Sequence, residues 1–265
     1  MDGGQVVAAP GTLVVPTRFE GPPGTANGGW IAGALADRLA DAQTASGLGW
    51  AAEVVLRAPT PLNVALAAEP AAGGGVRLVL DETVLVEAQA ARAENLVELP
   101  PFVGLAAAQR AVAGFTWFPD GGRHPFPNCF GCGTGRAQGD GLRLLPAPVP
   151  GGPPGLVATP WTVDALLASP DGTIGRPLLW SALDCPSFWA HQAAAPADEL
   201  AALLARQTVT VAGPVRPGET YVVVARAEAA EGRKLRASSA VYALDGTLVA
   251  ASTSLWIRIP PLDRG

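Results

Sequence analysis

Between Arg176 and Ala190 the chain reads RPLLWSALDCPSFWA, and Leu178, Leu179, Ala182 and Leu183 recur there at helical spacing. The pattern predicts a helix surrounded by other structure. Into it the sequence sets one carboxylate, Asp184, with Cys185 and Pro186 behind it. Burying a charge is costly, so Asp184 needs partners or a purpose. Pro186 has no amide hydrogen, so the bond to Ala182 is lost and a bend beside Asp184 is expected.

A second predicted helix runs from Trp30 to Gln43, after a Gly/Pro-rich loop from Gly21 to Gly29. One face carries Trp30, Ile31, Leu35 and Leu39. The other is small (Ala32, Gly33, Ala36, Ala40), so a sheet or a ligand could approach it closely. Strands are expected at Leu13–Phe19, Ala51–Leu56, Leu62–Glu69, Val76–Leu80 and Thr83–Ala91. The same order returns later. Short strands at Leu142–Leu144 and Leu156–Thr159 flank a loop from Pro146 to Gly155. The Asp184 helix follows, and then strands at Gln207–Val211, Tyr221–Ala227, Leu235–Ala243 and Leu248–Ile259. Asp245–Gly246 marks the last hairpin. GALA (Gly33–Ala36) parallels SALD (Ser181–Asp184), and LDETVLVEA (Leu80–Ala88) parallels LDGTLVAA (Leu244–Ala251). A tandem duplication is the simplest account. It gives an N-terminal unit over 1–94, a connector over 95–127 with a short helix between Gly104 and Gly114, and a C-terminal unit over 128–265.

Of 265 residues, 49% are apolar, enough for a large core, and the net charge is −5. That balance argues against a nucleic-acid partner, which would need a basic face. No apolar run approaches the ~18 residues of a membrane span, so no membrane partner is expected. No basic region precedes the N-terminal apolar residues, so no export signal is expected. Three cysteines then suggest free thiols in a reducing, cytoplasmic setting.

Asp184 could serve as a general base, its basicity raised by apolar surroundings; the plainer role is to fix a neighbouring loop. Asn27, Gly28 and Gly29 open the first helix, where unpaired amides could hold an oxyanion; ordinary capping by Asn27 is the alternative. Asp37 stands one residue past the position matching Asp184 and is expected to pair with a nearby arginine. Cys129 and Cys132 form a C-x-x-C with His124 upstream. Zinc needs four ligands; Cys185 belongs to the helix and only His191 remains, so no metal is expected. Neither a redox pair nor a Cys185 nucleophile is favoured. Arg176, Arg233 and Arg236 could meet phosphates. Trp30, Trp180, Phe188 and Trp189 could line an acyl or aryl pocket, or simply be core.

GGWIAGALA (Gly28–Ala36) followed by LDCPSFWAH (Leu183–His191) resembles the tandem hotdog acyl-CoA thioesterases of the medium-chain type II group. NCFGCGTGRAQGDGLRL (Asn128–Leu144) is similar to the start of many single-hotdog thioesterases of the phenylacetate-pathway kind. The resemblance covers about Thr12 to Ile259, apart from the connector. It implies an α+β double hotdog, two long antiparallel sheets each wrapping a central helix, with an acyl-thioester site at the seam. Asp184 takes the place of the family's catalytic aspartate. The family's helper glutamine falls at about Ser254, and its helper threonine near Leu235. The implied substrate is a small-molecule acyl or aryl thioester with coenzyme A as part of it and no other cofactor. Further association into a homo-oligomer is compatible with it. A non-catalytic acyl-thioester or lipid binder and an enoyl-thioester hydratase are the rival readings.

Overall fold

The computed structural model describes residues 11–39, 50–92, 99–118, 124–169, 172–195 and 201–260. The expected helical residues from 40 to 43 lie outside them. Three α-helices are present among the described residues: α1 (Gly28–Ala36), α2 (Leu105–Val112) and α3 (Arg176–Ala194). Eleven strands accompany them. β1 (Thr12–Val14), β2 (Trp50–Leu56), β3 (Ala65–Pro70), β4 (Val76–Leu80) and β5 (Thr83–Arg92) belong to the first half. β6 (Ala147–Pro148), β7 (Leu156–Thr162), β8 (Ala202–Val211), β9 (Thr220–Glu231), β10 (Lys234–Tyr242) and β11 (Leu248–Arg258) belong to the second.

The strands form one antiparallel sheet, in the order β1-β3-β4-β5-β2-β8-β11-β10-β9-β7-β6. The two sheets expected from the sequence are thus halves of a single one. The junction is β2 against β8, where Val54 pairs with Gln207 and Ala51 with Thr210. An unpaired edge exposes a row of backbone donors and acceptors, and pairing the two inner edges removes it. Counted outward from the junction, each half runs in the same sequence: the strand after the helix, then the last strand, then the one before it.

Three short segments differ from expectation. Leu142 to Leu144 is not a strand; its amides bond the Phe130 and Gly131 carbonyls instead of a sheet partner. The strand β6 lies inside the stretch expected to be a loop. At the N-terminus only Thr12–Val14 is a strand, and Thr17–Phe19 forms a 3₁₀ turn.

The two central helices pack on each other as well as on the sheet. The small face of α1 serves this approach. A Cβ on Gly29 would lie 2.6 Å from the Asp184 Cβ, and one on Gly33 2.7 Å from the Pro177 Cα. So α3, rather than a sheet or a ligand, occupies the space those glycines leave. The main core between helices and sheet includes Ile31, Leu35, Trp161, Trp180 and Leu183. Connector helix α2, through Ala108, and the preceding Val103 pack on the second half against Leu156 and Val222. No helix among the described residues is long and apolar enough to cross a membrane.

Candidate active site

Asp184 lies in the middle of α3 and is 1% exposed. Its Oδ2 accepts two hydrogen bonds from the other half of the chain, from the Gly29 amide and from Asn27 Nδ2, each at 2.9 Å. Its Oδ1 is buried without a partner. Burial is the main influence on its pKa and drives it up to about 7, against the lowering effects of the Gly29 amide and Asn27, with Cys129 raising it further. The carboxyl group therefore has one oxygen fixed and one available, with a proton affinity suited to exchange near neutral pH.

Asn27 does two jobs. Its Oδ1 caps α1 by accepting from the Trp30 amide at 2.9 Å, and its Nδ2 reaches Asp184. The cap follows from the sequence, since Asn is a favoured N-cap residue. The Gly29 amide is committed to Asp184, which corrects the expectation that it holds an oxyanion. The Asn27 side-chain amide is committed in the same way. Gly28 keeps the role open: its amide is in the first turn, it lines the pocket, and no partner is assigned to it among the described residues.

Around Asp184 the helix is pinned to the sheet by hydroxyls. Ser239 Oγ donates to the Leu183 carbonyl at 2.6 Å, and Ser187 Oγ to the Asp184 carbonyl at 2.7 Å. Trp256 Nε1 donates to Ser187 Oγ at 2.8 Å. The helix runs through Pro186 without interruption. These bonds hold the carbonyls three and two places before the proline, next to the Ala182 carbonyl whose helical donor the proline removes.

Two further buried polar atoms lie on the sheet beneath α3. Gln207 on β8 is fully buried; its Nε2 bonds the Trp180 carbonyl at 3.3 Å and its Oε1 has no partner. Ser254 on β11 pairs in register with Gln207, and its Oγ is also unpartnered. Sequence reasoning missed Gln207. The signal was a glutamine directly before the alternating TVTV run, at a strand position whose buried amide needs a partner. Leu235, the expected helper position, is instead core, packed with Leu204 and Trp256.

A pocket of about 410 Å³ opens beside Asp184, lined by both halves and by the segment around His124 and Phe126. Phe188, Trp189 and Trp256 form an aromatic wall, with Phe188 5.4 Å from Trp189 and 5.5 Å from Trp256. Trp30 and Trp180 do not line it; Trp30 stacks on Phe19 at 4.1 Å and Trp180 is fully buried in the main core. Of the expected cations, Arg233 lies on the pocket, together with Arg57, which sequence reasoning did not single out. Arg176 pairs with Asp37 at 3.3 Å, and Arg236 is exposed and does not line the pocket. His191 Nε2 contacts the Arg236 carbonyl at 2.8 Å and is therefore a packing residue.

No family model and no curated protein sequence matches this chain. Solved structures do. The tesB protein of Mycobacterium avium subsp. paratuberculosis superposes with a TM-score of 0.62 at 17% identity, over 94% of this chain and 92% of its own. Acyl-CoA thioesterase II TesB2 of Mycobacterium marinum gives 0.56 at 14%, over 94% and 93%. A conserved hot dog fold protein of unknown function from Alicyclobacillus acidocaldarius gives 0.52 at 14%, over 95% and 93%. The fold is thus the hotdog fold, shared over nearly the whole chain with structures of the thioesterase II type.

Proposed function

We propose that the protein hydrolyses an acyl or aryl thioester of coenzyme A, with Asp184 as general base. The observation that carries this reading is the half-anchored carboxylate: Oδ2 held by Gly29 and Asn27, Oδ1 free, at a pocket that both halves line. Asp184 takes a proton from water, and the water oxygen adds to the thioester carbonyl. The oxyanion that forms is met by the Gly28 amide at the positive end of α1. Collapse expels the thiolate, which takes the proton held by Asp184 and restores the carboxylate. Gln207 Oε1 and Ser254 Oγ are polar groups with spare capacity that could hold the water. The apolar wall suits an acyl or aryl group, and Arg233 with Arg57 suits the phosphates of coenzyme A. The matching strand order of the halves supports a double hotdog produced by duplication.

The test is free-thiol release from a panel of acyl- and aryl-CoA substrates, comparing wild type with Asp184→Asn. Turnover that falls by ~100-fold or more supports a general base. Equal rates remove Asp184 from the mechanism. Binding of CoA esters without thiol release by the wild type favours a binding protein instead.

A further inference from the structure

Cys185 is not apart from the C-x-x-C. Its Sγ lies 3.7 Å from that of Cys129, and the three sulfurs of Cys129, Cys132 and Cys185 all fall within 4.8 Å of one another. Cys185 belongs to helix α3, more than 50 residues along the chain from the C-x-x-C. The loop from Asn128 folds back onto that helix, and Gly131 makes this close contact feasible: a Cβ there would sit 2.6 Å from Cys185 Sγ. A tetrahedral ion with sulfur ligands at ~2.3 Å has sulfur–sulfur edges of ~3.8 Å. The Cys129–Cys185 separation matches that edge.

Hydrogen-bond donors converge on the sulfurs. The Cys132 and Cys185 thiols and the amides of Gly131 and Cys132 direct hydrogen bonds to the Cys129 sulfur. Amides two and three places past the first cysteine thus serve its sulfur. Asn27 Nδ2 lies 3.8 Å from Cys129 Sγ and 3.9 Å from Cys185 Sγ. The indole N–H of Trp189, 3% exposed, makes no full hydrogen bond and faces the Cys132 sulfur. A buried donor aimed at sulfur with no other acceptor is what a metal-bound thiolate requires of its neighbours.

We infer that Cys129, Cys132 and Cys185 form a three-thiolate binding site for a soft divalent cation, zinc being the fitting ion. Three thiol protons leave as the ion binds. His124 is not the fourth ligand in this geometry: its Nδ1 accepts from the Phe126 amide at 3.0 Å, which puts the proton on Nε2. The fourth corner goes to solvent from the adjoining pocket. Asn27, in contact with two of the sulfurs and with Asp184, ties this site to the carboxylate.

The experiment is titration of the reduced full chain with cobalt(II). Expected are one equivalent bound per chain, intense thiolate-to-cobalt charge-transfer bands, the visible bands of tetrahedral cobalt, and bleaching of both by zinc. Cys132→Ser should weaken binding by more than ~100-fold, and Trp189→Phe by ~10-fold. Absence of the charge-transfer bands, or cobalt binding unchanged in Cys132→Ser, would overturn the site and leave three packed thiols. The wild-type spectrum decides the point even where a variant does not fold. It needs no turnover, so it stands or falls apart from the thioesterase reading.

Discussion

The two central helices occupy matching places in their halves and carry opposite chemistry. Helix α1, GGWIAGALA, has no charged side chain, and eight of its nine residues are buried. It contributes backbone: a glycine amide to Asp184, and glycines at which α3 can approach. Helix α3 contributes side chains: Asp184, Cys185 and Ser187, all buried. Neither helix makes a site alone. A carboxylate at the centre of a helix cannot use its own backbone amides, which are consumed by the helical ladder. It needs the start of another helix, where amides are unpaired. Helix α1 supplies that start within the same chain, so only α3 needs the carboxylate.

The largest effects should come from breaking that division of labour at Asp184. Asp184→Asn keeps the shape and removes the base, so thiol release should fall ~100-fold or more. The same change should stabilise the fold at alkaline pH. The folded-state pKa of about 7 lies above the unfolded value of 3.8, so the folded chain prefers the protonated form. That contribution is fully present below about pH 4 and is lost as pH rises through 7; the cost to wild type above pH 7 reaches up to ~4 kcal/mol. Urea midpoints, measured with a chelator present, should therefore coincide near pH 4 and favour the variant at pH 8. A variant less stable at both pH values would mean that the negative charge is needed structurally. The wild-type rate should rise with pH through about 7 as Asp184 loses its proton.

Next in size is Gly29→Ala. Its Cβ would sit 2.6 Å from the Asp184 Cβ and 2.7 Å from the Trp180 carbonyl oxygen. Neither is the end of a flexible side chain, so the helices must part, at a cost of ~3 kcal/mol or more. A urea midpoint close to wild type would show that the helices are less tightly apposed than described. Asn27→Ser is gentler. Serine is also a good cap, but it loses the donor to Asp184. The rate should drop ~10-fold, as for the loss of one hydrogen bond to a charge, while stability changes by about 1 kcal/mol. A rate equal to wild type with lowered stability would make Asn27 a cap only.

Much of this was legible in the sequence, for identifiable reasons. Asp184 stood out because a charge in an apolar helical run demands an explanation, and Asn27 because capping is a local rule. Strands bounded by Pro, Gly or an acidic turn were found within a few residues. The failures are long-range. The commitment of the Gly29 amide, the arrival of Gly131 at Cys185 and the pairing of Gln207 with Ser254 join residues 155, 54 and 47 positions apart in sequence. Spacing within one element carries no information about such contacts. Trp30 and Trp180 were equally suited to a pocket or a core by composition, and only the packing of α1 on α3 places them in the core. The single sheet was missed because edge pairing between halves is a backbone event with no side-chain signature.

The smallest expected effect separates two arginines that the sequence treated alike. Arg176 and Asp37 form an ion pair at 3.3 Å across the ends of α3 and α1, each side chain about one-third exposed. Burial raises the Asp37 pKa and Arg176 lowers it in turn. A half-solvated pair contributes little, so Arg176→Ala should cost less than about 1 kcal/mol and leave the KM for a CoA thioester unchanged. Arg233 faces the pocket, and its replacement by Ala should raise that KM several-fold at low salt, less so at high salt as the phosphate charge is screened. The two variants belong in one experiment because each controls for the other's loss of charge. A KM increase confined to Arg176→Ala would move the phosphate contact from the pocket rim to the junction of the helices, and would reverse the division between a helix pair that holds the reacting group and a rim that receives the carrier.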